Sequence, residues 1–141
     1  MVPNTIRVPT PFEFVFPHGA ICLGVEAATD FERRGQADEQ ARDKETGERL
    51  WVATVIDYDP EAVRFGRSAE TRVRIAAPHP PVLPPAQYPG MPPMVEFTDV
   101  TLTPYLDSRR CKATGRCGCR QSYSIKAAGL LAATTMPTTG V

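Results

Sequence analysis

The stretch LWVATVIDY (50–58) decides the fold. It is filled with β-branched and aromatic residues, and Trp51, Ala53 and Val55 alternate with Val52, Thr54 and Ile56, the period of a strand with one buried face. The run ends at Asp59-Pro60-Glu61-Ala62, where Asp59 can cap one helical turn with Pro60 at its first position. Eight residues beyond lies TRVRIAA (71–77), a second alternating run that sends Val73 and Ile75 one way and Arg72 and Arg74 the other. Working outward, FEFVF (12–16) alternates up to Pro17, and AICLGVEAATDF (20–31) continues or follows it. VEFTDVTLTPYL (95–106) and QSYSIKAAG (121–129) complete the set, the latter placing Tyr123, Ile125 and Ala127 on one face and Ser122, Ser124 and Lys126 on the other. The expectation is an all-β chain.

Three long connections separate these runs. ERRGQADEQARDKETGE (32–48) is charged, lacks the apolar stripe of a helix, and ends in KETG, a turn in which Gly47 can take positive φ. APHPPVLPPAQYPGMPP (77–93) holds eight prolines and must cross the surface as an extended strap. A stiff connector within the domain is the plain reading of that strap; a proline-rich ligand for another domain is the alternative. Residues 107–120 join the last two runs. Five principal strands with a long first loop, a long central crossover and a long fourth loop predict a five-stranded OB-fold-like barrel, with a Pro-rich crossover in place of the usual helix. Residues 1–11 form an N-terminal arm, 12–130 the barrel domain, and 131–141 a flexible tail.

The 141 residues suffice for one domain with a core of its own. Net charge is zero, yet residues 1–70 carry 8 basic and 13 acidic side chains while residues 71–141 carry 8 and 3. The asymmetry suggests an anionic partner for the basic half, with DNA, in particular single-stranded DNA, as the expected one; a solvated charged face with no partner is the alternative. Thirteen of the sixteen cationic side chains are arginine, which suits forked contacts to phosphate. No apolar run reaches the length of a membrane span. The opening MVPNTIRVPTPFEF has no basic stretch followed by an apolar run, so a reducing cytoplasm is expected.

The densest chemistry is RRCKATGRCGCR (109–120), with five cations and three cysteines in twelve positions. Zinc sites pair their cysteines in two separated knuckles. Here the spacing is C-x5-C-x-C, so Cys111, Cys117 and Cys119 are weak metal candidates that would need Cys22, His79 or Asp107 as a fourth ligand. A disulfide within the loop is the second option. The third is a basic loop that wraps a phosphate backbone, and it requires no further ligand. On that reading Arg109, Arg110, Lys112, Arg116 and Arg120 act with Arg72, Arg74, Tyr105 and Lys126 as the nucleic-acid-binding set. Trp51, Tyr105 and Tyr123 are the aromatics placed where bases could stack, although Trp51 and Tyr123 share faces with core residues. Asp57-Tyr58-Asp59 ends a strand more readily than it holds an ion. His18 and His79 each adjoin a proline and have no nucleophile or carboxylate nearby in the sequence. No catalytic constellation is visible, and a non-enzyme without cofactor is expected.

The blocks DFERRGQADEQARDKETGERLWVATVIDYDPEA, VRIAAPHPPVLPP, VEFTDVTLTPYLD and RQSYSIKAAG, in this order and spacing, resemble the plasmid replication, integration and excision activators of integrative mobile elements in high-GC Gram-positive bacteria. The resemblance covers most of residues 12–130. It implies a small cytoplasmic activator that switches an element from its integrated state to excision and replication, with element-encoded replication or recombination proteins as further partners. VEFTDVTLTPYL and YSIKAAGL also resemble the last two strands of phage-type single-stranded DNA-binding barrels. The competing expectation is a protein-interaction adaptor that recruits such proteins without touching DNA.

Overall fold

The computed structural model describes residues 6–30, 35, 39–57, 61, 70–107 and 120–133. The regular structure of the described residues is almost all strand, arranged as one curled eight-stranded sheet. Its strands are β1 (Val8–Pro9), β2 (Ala20–Ala27), β3 (Leu50–Asp57), β4 (Glu70–Ala76), β5 (Met94–Thr98), β6 (Thr101–Asp107), β7 (Arg120–Ala127) and β8 (Gly129–Ala132). Strands β2, β3 and β4 form an antiparallel meander, and β5, reached through the proline strap, lies beside β2. That is a Greek-key order. β7 then joins the free edge of β4 in parallel, pairing Val73 with Ile125 and Ile75 with Ala127.

The run expected as one strand over 95–106 is broken. Asp99 takes φ 49, a left-handed conformation that Asp tolerates better than most residues, and it separates β5 from β6. The break costs no register. Thr98 pairs with Gly129 and, three residues on, Thr101 pairs with Lys126, so β5–β6 and β7–β8 are the two sides of one long bent hairpin. At the bend Ala128 N–H donates to the Thr98 carbonyl (2.8 Å) and Val100 is buried. β8 runs to Ala132, two residues into the segment read from sequence as tail.

FEFVF is not a strand. Phe12–Val15 form one helical turn (α1), with Phe16 N–H bonded to the Phe12 carbonyl at 2.9 Å. The reason is packing: an i, i+4 pair puts Phe12 and Phe16 on one side, 5.5 Å apart, and both rings lie 6.1 Å from Phe97. Phe14 faces out, 78% exposed. The alternation of three phenylalanines mimics a strand because positions 12 and 16 satisfy both periods. The N-terminal arm is also docked, through β1 pairing with β6 and through Thr10 N–H to the Val100 carbonyl at 2.9 Å.

The core gathers Phe16, Ala20, Cys22, Ala53, Val55, Val73, Ile75, Val95, Phe97, Val100 and Ala127 inside the curl. In β2 the apolar phase shifts midway, from Ala20 and Cys22 to Val25. A β-bulge makes that possible: Cys22 pairs with Val55 and Gly24 with Thr54, so Leu23 is the extra residue, and Glu26 is turned outward opposite Val52. Trp51 packs on the core and donates its Nε1–H to the Ala77 carbonyl (2.9 Å), as its alternation with Ala53 and Val55 predicts.

The proline strap makes no ladder. Pro81 and Pro84 are half-buried while Val82, Leu83 and Pro85 are exposed, and three residues after Pro84 the Gln87 amide clamps both the N–H and the carbonyl of Met94 (3.0 and 3.2 Å). A spacing of three is that of a polyproline II helix. The strap closes in a turn, with Met91 N–H to the Tyr88 carbonyl at 3.3 Å and Gly90 at φ 80, which admits glycine readily.

Candidate nucleic-acid interface

Strand alternation sets the site. Because Val73 and Ile75 point into the core, Arg72 and Arg74 point out, opposite Thr54 and Val52 of β3. Two rows therefore cross the outer face of the sheet. One reads Glu26, Val52, Arg74, Lys126, Thr101 and the other Gly24, Thr54, Arg72. Both arginines are exposed, and neither side chain has a hydrogen bond or ion pair among the described residues.

Lys126 belongs to the first row but not to the open surface. Its ammonium contacts the Asp43 carboxylate, and the Arg7 guanidinium lies 3.5 Å from the other oxygen of the same group. Asp43, whose side chain is 1% exposed, is the single buried charged residue among the described ones. It heads the expected KETG turn: Asp43 N–H donates to Glu48 O and Gly47 N–H to Asp43 O, both at 2.8 Å, with Gly47 at φ 75, while Asp43 Oδ1 accepts from Glu45 N–H at 2.9 Å. Arg7 also reaches Glu45 at 3.0 Å. The N-terminal arm, the first long loop and β7 are thus tied at one carboxylate. Burial, and after it the nearby Arg7 charge, lowers the Lys126 pKa from the usual lysine value. Of the expected set, Lys126 is therefore engaged internally and neutralised.

Tyr105 lies on β6 opposite Ser122 and Tyr123 on β7 opposite Pro104, so the two tyrosines face opposite sides of the hairpin. Tyr123 shares the phase of Ile125 and Ala127, which predicts burial, yet it is 52% exposed, and Tyr105 is 46% exposed. The reason is that β7 contacts β4 only over Ile125–Ala127 and β6 contacts β1 only at Thr101–Leu102. Beyond Thr103 and Ser124 the hairpin continues as a two-stranded arm with no third strand among the described residues. The inner face of the arm consequently has no core to meet. The Gln121 amide reaches the Tyr123 hydroxyl at 3.4 Å.

Arg109, Arg110, Lys112, Arg116 and the three loop cysteines lie outside the described residues, as does Asp59. Arg120 is described only as the first residue of β7, opposite Asp107. Among the described residues no group of His, Cys, Asp and Glu has the geometry of a metal site. Cys22 is removed as a fourth ligand for those cysteines, since it sits wholly inside the core with its thiol on the Gly24 carbonyl (3.7 Å). Burial raises its pKa, with the Gly24 hydrogen bond acting weakly in the other direction. His79 is exposed on the strap.

The structure adds positions that the sequence did not single out. A shallow groove of about 320 Å³ runs over the bulge, lined by Leu23, Gly24, Val25, Glu26 and Thr54; Arg72 lies one strand beyond Thr54 in the same row. The isolated Gly24 inside the AICLGVEA run is the signal that could have found the bulge, and only the Asp-x-x-x-Gly turn hints at Asp43. No helix among the described residues is long and apolar enough to cross a membrane. Comparison with known proteins returns no family model, no curated protein and no solved structure that matches the chain.

Proposed function

We propose that this chain is a non-enzymatic single-stranded DNA-binding protein of the OB-barrel type, active in the cytoplasm in replication, integration and excision of a plasmid or integrative element. The barrel reading is supported by the Greek-key pairing of β5 with β2, the parallel β4–β7 pair, and the single register shared by β5–β6 and β7–β8. The biological role is the one that the resemblance implies.

The observation that carries the DNA reading is the outer face of β3–β4. It presents Arg72 and Arg74 without acidic partners among the described residues, and the segment that joins β6 to β7 carries Arg109, Arg110, Lys112 and Arg116 in sequence. A basic track with exposed aromatics at its end suits a single strand, whose backbone is followed by charge and whose bases stack. Fluorescence anisotropy of reduced protein with a labelled single strand and its duplex, each over a range of salt, tests it. Tighter binding to the single strand is expected, with an affinity that falls as salt rises by about 0.7 log units per log unit for each phosphate neutralised. Absence of binding to either form at low salt rejects the reading.

One observation favours a second reading. The arm exposes Tyr105, Leu106 and Tyr123 along strand edges that no described residue pairs with, a surface on which a protein could add a strand. An adaptor of that kind would recover a replication or recombination protein equally well after nuclease treatment.

A further inference from the structure

The groove over the β2 bulge is not needed to hold the sheet together. The bulge pushes Leu23 outward, where it is 48% exposed, and turns Glu26 to the outer face in the row that contains Arg74. Between them Gly24 leaves the floor bare: a Cβ built there would meet no atom within 4 Å. Thr54, the partner of both Gly24 and Arg72, supplies a hydroxyl at the wall. The Glu26 carboxylate has no hydrogen bond or ion pair among the described residues. A carboxylate two strands from Arg74 on the same face is out of place on a surface that only grips phosphate, because it repels the same backbone.

We propose that this groove is a base subsite that selects guanine within a single strand, an inference that rests on the DNA-binding reading above. The two arginines hold the backbone, Leu23 lies against the face of the base, and Glu26 reads its edge. Guanine presents N1–H and N2–H side by side, two donors for the two oxygens of one carboxylate. Cytosine and adenine offer one amino group each, alongside ring acceptors. Thymine offers a single N–H between two carbonyls whose lone pairs face the carboxylate. The order of preference is guanine first and thymine last. A well-formed bidentate contact of this kind discriminates by about tenfold or more.

The test compares oligo-dT with the same strand carrying isolated dG residues, which avoids guanine self-association. The wild-type protein is expected to bind the dG strand about tenfold more tightly. Glu26→Gln, which replaces one acceptor by a donor, and Gly24→Val, which fills the floor, should each bring the ratio of the two affinities close to one. Gly24 does not have positive φ, so the valine imposes no left-handed strain, and a thermal melt of each variant verifies the fold. Equal wild-type affinities, or a dG preference that survives both substitutions, would overturn the guanine subsite while leaving DNA binding intact. Failure to bind either strand would overturn the DNA reading itself, and this inference with it.

Discussion

Arg74 and Lys126 are partners across the parallel β4–β7 ladder, and among the described residues only Lys126 has a carboxylate to answer its charge. Neighbouring strands lie about 4.8 Å apart, so two cations on adjacent strands in one row of the same face differ entirely in availability. The difference comes from the first long loop, which delivers Asp43 to Lys126 and leaves Arg72 and Arg74 open.

Charge reversal of the open pair is the first expectation. Arg72→Glu with Arg74→Glu should weaken single-strand binding at least tenfold and reduce the salt slope by between one and two, measured by anisotropy over a salt series. Both positions are exposed, so the melting temperature should change little.

Asp43→Asn should do the opposite. It leaves Arg7 and Lys126 close together without their shared anion, in a place where the carboxylate is almost wholly buried. Breaking a buried ion pair of this type costs about 3 kcal/mol, to be read from urea denaturation.

Cys22 should resist alkylation in the native protein and react once the chain is unfolded, because its thiol is inside the core and its pKa is raised. The same shift fixes a pH dependence. An unfolded chain loses this proton near the ordinary thiol value of 9.0, while the folded protein holds it to higher pH. Its contribution is complete below pH 9.0 and is lost as pH rises through the folded value. Stability should therefore decline less steeply above pH 9 in Cys22→Ala than in the wild type.

Gly129 and Gly24 should respond differently to added bulk. A Cβ at Gly129 would sit 3.0 Å from the Thr98 hydroxyl across the bend of the long hairpin, whereas at Gly24 it meets open space. Gly129→Val should destabilise by about 1–3 kcal/mol, and Gly24→Val should melt close to the wild type.

The single tryptophan offers a spectroscopic control. Trp51 packs on the core side of β3 with its Nε1–H bonded to Ala77, so strand binding should not quench its emission as base stacking would. Trp51→Phe forfeits that hydrogen bond and should cost about 1 kcal/mol.

Much of the sheet is legible in the residues because strand alternation is a local property. Val73 and Ile75 against Arg72 and Arg74, or Ala53 and Val55 against Thr54, declare two faces without reference to anything else, and the KETG turn declares itself through Gly47. The outward arginines were predictable for the same reason. What only the tertiary structure decided depends on neighbours that sequence does not name. Phe12 and Phe16 form a helical turn because Phe97 is there to receive both. Tyr123 has the phase of a core residue and is exposed because the β4–β7 pairing reaches only Ile125–Ala127, although β4 itself runs on past its level. Lys126 has the phase of an open cation and is closed because Asp43, 83 positions earlier, is folded against it. The bulge at Leu23 turns Glu26 outward against the alternation begun by Ala20 and Cys22. Periodicity is written residue by residue; burial and pairing are settled only when distant segments compete for the same space and the same charge.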